Sequence, residues 1–184
     1  LSLHSDNGLI VARIQKGAPK IPETGGAMGK NKTLVIFSGD MDKALAGCII
    51  ANGVVASGRE ASMFFTFWGL NLLRKNTNVK VKKTLIERMF GWMMPRGTQK
   101  AKLSQMNMAG MGTAMIKSIM KKKNVDSLDE MLQTAIDNGV HIQACQMSMD
   151  LMGIKREELI EGIEVVGVAT MLAASDDSNG VIFI

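Results

Sequence analysis

The stretch Lys32-Thr33-Leu34-Val35-Ile36-Phe37-Ser38-Gly39-Asp40 decides the fold of this chain. Its apolar run over 32–37 is typical of a buried parallel strand, and the last three residues follow as a loop. Residues 41–57 then carry apolar side chains at helical spacing before Gly58, and residues 61–67 form a second apolar run. Two buried strands joined by a helix require a right-handed crossover and a parallel sheet.

The segments that follow continue the alternation of strands and helices. Ser127 and Glu130 form a capping box that predicts a helix from residue 128 to residue 137. The other predicted elements are a strand over 140–144, a short helix closed by Gly153, a strand over 163–166, a helix over 168–174 and a strand over 181–184. This order predicts an α/β fold with a mainly parallel sheet of four to five strands and helices on both faces.

A basic, methionine-rich block interrupts this alternation between residues 74 and 123. It contains thirteen lysine or arginine residues and one acid, Glu87, so its charge is +12, whereas the rest of the chain carries −7. Eight of the sixteen methionines and Trp92 lie in the same block. We predict a helical insertion here, with a mobile segment over 85–97 and a helix over roughly 100–121.

This block suits two kinds of partner. A basic surface interleaved with soft apolar side chains fits an acidic protein or an anionic membrane surface. The alternative is a solvated basic face on helices whose methionines fill the core. Nucleic acid is a weaker interpretation, because the chain has no tyrosine and its few aromatic residues are not arranged as stacking platforms.

The composition sets outer limits on the function. A chain of 184 residues with 46% hydrophobic content is long enough to bury one core. The sequence opens on no signal peptide and contains no run of the ~18 apolar residues that span a membrane, so we expect a reducing cytoplasm. His4 and His141 have no zinc-type spacing, and no glycine-rich phosphate motif follows a strand. The sequence therefore predicts no metal and no cofactor, and it favours His141 as a packed core residue.

The first 31 residues differ in composition from the rest. Asn7-Gly8 is a hairpin-turn signal before a predicted strand over 9–14, and six glycine or proline residues follow. We interpret residues 1–16 as the remnant of an upstream domain, 17–31 as a linker and 32–184 as the main domain.

Cys145 is the candidate reactive residue, because it lies where a predicted strand ends and a helix begins. In an α/β sheet this edge collects reacting groups, and the start of the helix favours thiolate over thiol. The alternative is that Cys145 is a small buried hydrophobe, as most free cysteines are. Cys48, among apolar residues of the first predicted helix, is interpreted as structural. Asp40, Trp68 and Asn71 follow the first two strands, where they either wall a pocket at the same edge or serve in capping and packing.

Five segments resemble the DsrE/DsrF/DsrH-like family of sulfur-relay proteins, in the larger branch found fused to other sulfur-handling domains such as TusA-type, rhodanese or disulfide-reductase domains. They are Phe37-Ser38-Gly39-Asp40-Met41-Asp42-Lys43-Ala44, Ile49-Ile50-Ala51-Asn52-Gly53, Phe64-Phe65-Thr66-Phe67-Trp68-Gly69-Leu70-Asn71, Met106-Asn107-Met108-Ala109-Gly110-Met111-Gly112 and Ala144-Cys145-Gln146-Met147-Ser148-Met149-Asp150. The resemblance runs from about Lys32 to the end of the chain. It implies a three-layer α/β/α sandwich, a homo-oligomer with a trimer favoured, and a cysteine that carries sulfur as a persulfide, a role that maps onto Cys145. Residues 6–16 are also similar to the closing strand of a TusA-type sulfur-carrier domain.

The leading hypothesis is therefore a sulfurtransferase or sulfur carrier that relays sulfur as a persulfide on Cys145. Its expected partners are sulfur donor or acceptor proteins of the TusA or rhodanese type, since the chain offers no obvious second thiol to resolve the persulfide. The alternatives are a non-catalytic oligomeric binding subunit and a peripheral membrane adaptor. The family motifs add further binding candidates, namely Gly39, Asn107, Met108, Gln146 and Met147.

Overall fold

Five parallel strands form the central sheet of the computed structural model, which describes residues 31–176 and 178–184. The strands are β1 (Asn31–Ile36), β2 (Glu60–Phe65), β3 (His141–Cys145), β4 (Ile163–Val166) and β5 (Ser178–Phe183). Their order is β4-β3-β2-β1-β5, and each neighbouring pair is parallel. The predicted α/β fold is thus confirmed. The remnant predicted at 1–16 and the linker up to residue 30 lie outside the described residues.

Six α-helices connect the described strands, and three of them lie between β2 and β3. They are α1 (Met41–Ala56), α2 (Leu85–Met93), α3 (Met111–Lys122), α4 (Leu128–Asp137), α5 (Gln146–Met152) and α6 (Val168–Ser175). Short 3-10 helices cover Phe67–Leu73, Thr98–Lys100, Met108–Gly110 and Arg156–Glu158. The capping box predicted for α4 is present, because the Ser127 side chain accepts from the Glu130 amide and the Glu130 carboxylate accepts from the Ser127 amide.

The two faces of the sheet belong to two separate cores. Leu34 and Ala144 point to one face and pack in the main core with residues of α1, α4 and α5. Val35 and Phe64 point to the other face and form a smaller cluster with Met171 of α6. Successive side chains of a strand point to opposite faces, so neighbours in sequence enter different cores.

The strand order explains why the second face is thinly covered. From β1 to β4 the chain steps across the sheet in one direction, and α6 then carries it back to β5 beside β1. Right-handed crossovers in opposite directions place their helices on opposite faces. Among the described helices, α6 is the one that contacts β1 and β5 from this side. Val181 and Phe183 of β5, paired with Thr33 and Val35, remain exposed on it.

The segment 85–97, predicted to be mobile, contains a regular helix. The Thr84 amide donates to Glu87 Oε2 over 2.7 Å and the Glu87 amide donates to Thr84 Oγ1 over 3.3 Å, which is a capping box for α2. Lys155 Nζ donates to Glu87 Oε1 over 3.0 Å and ties α2 to the turn after α5. The sequence argument for this segment rested on the breaker at Pro95, which follows the end of the helix, and it overlooked this cap. The mobility of the segment stays a prediction.

Helix α2 turns an apolar face towards solvent. Its exposed apolar residues recur at spacings of three and four, and Trp92 is the most exposed of them at 88%. They are Leu85, Ile86, Met89, Trp92 and Met93. None of the helices within residues 31–176 and 178–184 is long and apolar enough to cross a membrane.

Two further predictions need correction. The helix predicted over 100–121 begins only at Met111, because Met106, Met108 and Ala109 adopt left-handed φ angles that a continuing α-helix cannot accommodate. His141, predicted to pack in the core, is exposed as the first residue of β3.

Candidate functional site

Cys145 occupies the junction that the sequence predicts, as the last residue of β3 and the N-cap of α5. Its neighbour in β4 is Val166. A hydrogen bond of 2.8 Å between the hydroxyls of Thr66 and Ser148 fixes α5 against the end of β2. The thiol therefore sits at the carboxyl edge of the sheet, where α/β proteins place ligands and reacting groups.

The thiol of Cys145 is nevertheless buried, with 1% of the residue exposed. It packs in the smaller cluster with Val35, Phe64 and Met171, and the partly buried Val166 borders them. β3 extends one residue further than predicted, and strand alternation then directs the side chain of residue 145 into this cluster.

The surroundings of Cys48 do not favour a reactive thiol. It lies within α1 in the main core and is 2% exposed. Burial raises the pKa of its thiol to about 12, so almost none of it is thiolate at neutral pH. The interpretation of Cys48 as structural agrees with this environment.

A cleft opens at the carboxyl ends of β1 and β2, and we call it the sheet-edge cleft. Its volume is about 730 Å³. Four predicted binding residues line it, namely Gly39, Asp40, Trp68 and Asn71, together with Trp92 of α2 and two lysines. Asp40 accepts hydrogen bonds from Ser38 Oγ at 2.8 Å and from Lys43 Nζ at 3.0 Å. The structure thus brings these four residues, which follow the first two strands, around one cleft.

Close backbone packing builds this cleft, and two glycines permit it. A Cβ on Gly69 would lie 2.2 Å from the Ile36 carbonyl oxygen, and a Cβ on Gly39 would lie 2.8 Å from the Trp68 carbonyl oxygen. The Gly69 amide donates to the Phe37 carbonyl over 2.9 Å. Larger side chains at either glycine would force the ends of β1 and β2 apart.

The remaining predicted binding residues lie elsewhere. Met108 lines an apolar pocket of about 620 Å³ against α3, and Asn107 accepts from Thr113 Oγ1 over 2.8 Å beside it. Gln146 lines a hollow of about 420 Å³ and donates to the Asp150 carboxylate, whereas Met147 is exposed. Cys145 lines none of these cavities, because its side chain points into the cluster under α6. The predicted residues thus do not form one site with the thiol.

Sequence reasoning missed a buried ion cluster next to the sheet-edge cleft. The Glu158 carboxylate, 1% exposed, lies 3.1 Å from Arg74 Nη2 and 3.1 Å from Arg96 Nη2. Lys83 Nζ forms a third ion pair with the same carboxylate, and the Lys155 amide donates to it over 3.1 Å. Three cations therefore share one carboxylate in a nearly dry environment.

Asn71 joins the ion cluster to the cleft. Its side chain accepts from Arg74 Nη1 over 3.2 Å and donates to the Trp68 carbonyl over 3.3 Å. Asn71 is 3% exposed, and its side chain both bonds to Arg74 of the ion cluster and lines the cleft.

The cluster keeps Glu158 ionised. Burial alone would raise the pKa of this carboxyl group, but hydrogen bonds from Lys83 and the Lys155 amide, with the charges of Lys83 and Arg74, outweigh it and lower the pKa. Burial and the charge of Arg96 lower the pKa of Arg74.

No constellation of metal ligands comes together in the part of the chain that the structure describes. That part contains no group of three or more histidine, cysteine, aspartate or glutamate side chains arranged to hold a metal ion.

The sequence profile of the DsrE/DsrF/DrsH-like family matches residues 29–183, and the chain belongs to this family.

Individual relatives agree with this assignment. The chain is 50% identical over 155 residues to the uncharacterized protein YrkE of Bacillus subtilis, a match that covers 84% of this chain and 97% of YrkE. It is 35% identical over 159 residues to the sulfur carrier protein DsrE2 of Allochromatium vinosum, covering 84% of this chain and 98% of DsrE2. The fold is similar to that of MTH1491 from Methanobacterium thermoautotrophicum, a protein of unknown function, with a TM-score of 0.51, 14% identity, and coverage of 84% of this chain and 98% of MTH1491.

Proposed function

We propose that this chain is a sulfur carrier that holds sulfur as a persulfide on Cys145 and passes it to a partner protein. The observation that carries the proposal is membership of the DsrE/DsrF/DrsH-like family together with 35% identity to a protein named as a sulfur carrier. These relatives support a sulfur-relay role for the chain. Cys145 is the better candidate of the two cysteines, because the pKa of Cys48 is raised to about 12 within the main core.

The transfer needs no metal and no net oxidation. The Cys145 thiolate attacks the outer sulfur of a donor persulfide, so that a new S–S bond forms at Cys145 and the S–S bond of the donor breaks. The donor leaves as a thiolate and takes up the proton that Cys145 released. Passing the sulfur on repeats the same exchange with an acceptor thiol.

Burial of Cys145 adds a requirement to this chemistry. The thiol has to be uncovered for both exchanges, and Met171 of α6 belongs to the same buried cluster as Cys145. α6 has eight residues, of which Met171 is the buried one, so it contributes few contacts to hold it in place. We expect α6 to open when sulfur is loaded or unloaded and to shield the persulfide from water in between.

Mass spectrometry of the intact chain tests the carrier role. After incubation with a persulfide donor, the chain should gain the mass of one sulfur, and Cys145→Ser should abolish the gain while Cys48→Ser retains it. A folded chain whose Cys145 stays unmodified would instead favour the non-catalytic binding subunit, in which this thiol only packs.

Alkylation rates test the covering role of α6. Met171→Ala removes the buried side chain over Cys145 and should raise the alkylation rate of Cys145, whereas Leu172→Ala on the 52% exposed side of the same helix should not. Equal rates in both variants and the parent chain would contradict opening at α6.

The exposed second face of the sheet supports assembly with copies of the same chain. Val181 and Phe183 on the edge strand β5 are exposed apolar side chains on one face, and Leu172 on α6 is exposed as well. Apolar surface of this kind marks interfaces, and homo-oligomers are the usual result. We propose a homo-oligomer with a trimer favoured, and light scattering that gives a monomer mass at micromolar concentrations would contradict it.

The apolar face of α2 supports docking of a donor or acceptor protein. It lies among basic residues such as Arg88 and Lys82, so an acidic partner surface with an apolar centre would complement it. Trp92→Ala should slow sulfur transfer from a partner protein without changing the mass gain from a small donor. An anionic membrane surface is the second candidate, and flotation with anionic liposomes that Trp92→Ala abolishes would favour it.

A further inference from the structure

A cavity beneath α2, separate from the sheet-edge cleft, is not used by the proposed carrier mechanism. It has a volume of about 520 Å³, within the range of roughly 300–1,000 Å³ that small-molecule pockets occupy. We call it the basic cavity, because five cations line it against one acid. The cations are Lys80, Lys83, Arg88, Arg96 and Lys100, and the acid is Glu158.

The single acid cannot neutralise these cations. Glu158 already forms ion pairs with Lys83, Arg96 and the fully buried Arg74. Lys80, Arg88 and Lys100 line the same space, with no acidic side chain among the lining residues to pair with them. Charges of one sign around a sheltered hollow concentrate anions of the opposite sign.

One nitrogen in each of two buried guanidinium groups also lacks an acceptor. Arg96 Nη1 and Arg74 Nε are buried and donate to no acceptor among the described residues. A buried charged donor without an acceptor is unfavourable, and a bound anion would remove the deficit at Arg96, which lines the cavity. A guanidinium also matches the oxygens of a phosphate-like group in geometry, which an isolated ammonium does not.

We propose that the basic cavity binds a dianionic tetrahedral oxyanion of the phosphate class, held by Arg96 and the surrounding lysines. The cavity is larger than such a group needs, and the exposed ring of Trp92 lies at its rim, so the group fits as part of a small phosphorylated molecule. This site goes beyond the sulfur-carrier proposal and does not depend on it.

Titration calorimetry on the full chain tests the site, with inorganic phosphate and with glycerol phosphate as probes at constant ionic strength set by chloride. We expect saturable binding of one anion per chain, with an affinity on the order of tenfold weaker in Arg96→Gln and in Arg88→Gln. Lys122→Gln, which removes the same charge from an exposed position outside the cavity, should bind as the parent does.

Two of the variants separate a loss of phosphate binding from a loss of folding and from a loss of sulfur transfer. Arg88 is exposed and forms no ion pair among the described contacts, so Arg88→Gln should retain its thermal stability even where Arg96→Gln loses some. Cys145→Ser should bind phosphate unchanged. Tighter binding of glycerol phosphate than of inorganic phosphate would support attachment of the oxyanion to a larger molecule.

Three results would overturn the proposal. The first is the absence of saturable heat with both probes, and the second is equal affinity of Arg96→Gln, Arg88→Gln and the parent. The third is binding to vesicles that contain phosphatidic acid without competition by either free probe, which would indicate a membrane-docking surface.

Discussion

Replacement of Glu158 by glutamine should destabilise the chain more than any single charge removal on its surface. The carboxylate and its partners Arg74, Lys83 and Arg96 are at most 13% exposed in their side chains, so the three cations would lose their shared acceptor where water replaces it only in part. Removal of one member of a buried ion pair costs roughly 3–5 kcal/mol of unfolding free energy. For a chain of this length, each kcal/mol lowers the melting temperature by about 2–4 °C, so the expected loss is roughly 6–20 °C.

Circular dichroism during thermal and urea unfolding measures this effect. Glu157→Gln is the matched control, because it makes the same chemical change at an exposed neighbour in the same 3-10 helix and should shift stability by less than about 0.5 kcal/mol. If Glu158→Gln unfolds within 1 kcal/mol of that control, the three cations do not depend on this carboxylate. Phosphate should stabilise Glu158→Gln, since the variant leaves the cations free to bind an anion.

Other predictions follow from single features of the fold. The pKa of Glu158 is lowered from 4.5, so its contribution to stability is present at neutral pH, and the difference in melting temperature between the parent and Glu158→Gln should shrink as the pH falls below about 4.5. Gly69→Ala would place a Cβ 2.2 Å from the Ile36 carbonyl oxygen, so urea unfolding should show a loss of roughly 1–3 kcal/mol. Ser127→Ala removes the cap of α4 and should cost about 1 kcal/mol in the same assay, and an unchanged midpoint would contradict the capping role. Phe183→Glu should lower the mass measured by light scattering while the melting temperature stays close to that of the parent, because this side chain is 69% exposed on the edge strand.

The pattern of apolar runs was sufficient to predict the sheet, because a short continuous apolar run bounded by turn residues is typical of a buried parallel strand. The strands predicted over 32–37 and 61–67 differ from β1 and β2 by only one or two residues at each end. The Met-rich block was harder, since a capping box at Thr84 and a breaker at Pro95 bound a helix of only nine residues. Lys155 also ties this helix to the rest of the fold, a contact between distant residues that the sequence does not reveal.

The site was only partly predictable, because burial depends on what packs from elsewhere. Asp40 and Trp68 share a cleft since both follow neighbouring parallel strands, which the sequence order already implies. The burial of Cys145 depends on α6, which lies more than twenty residues further along the chain. Glu158 follows Lys155, Arg156 and Glu157, a composition typical of a solvated surface, and only the 3-10 turn directs its carboxylate inward.

The helix over Cys145 has a consequence for how long a loaded sulfur would survive. A persulfide on an exposed cysteine is consumed at a rate proportional to the concentration of surrounding thiols. In the proposed mechanism the sulfur is reachable only while α6 is open, so at high thiol concentration the loss rate should level off at the opening rate of the helix. The lifetime of the persulfide would then depend on how often the eight-residue helix α6 opens and not on the thiol concentration of the solution. A docked partner that holds α6 open would determine when the sulfur leaves.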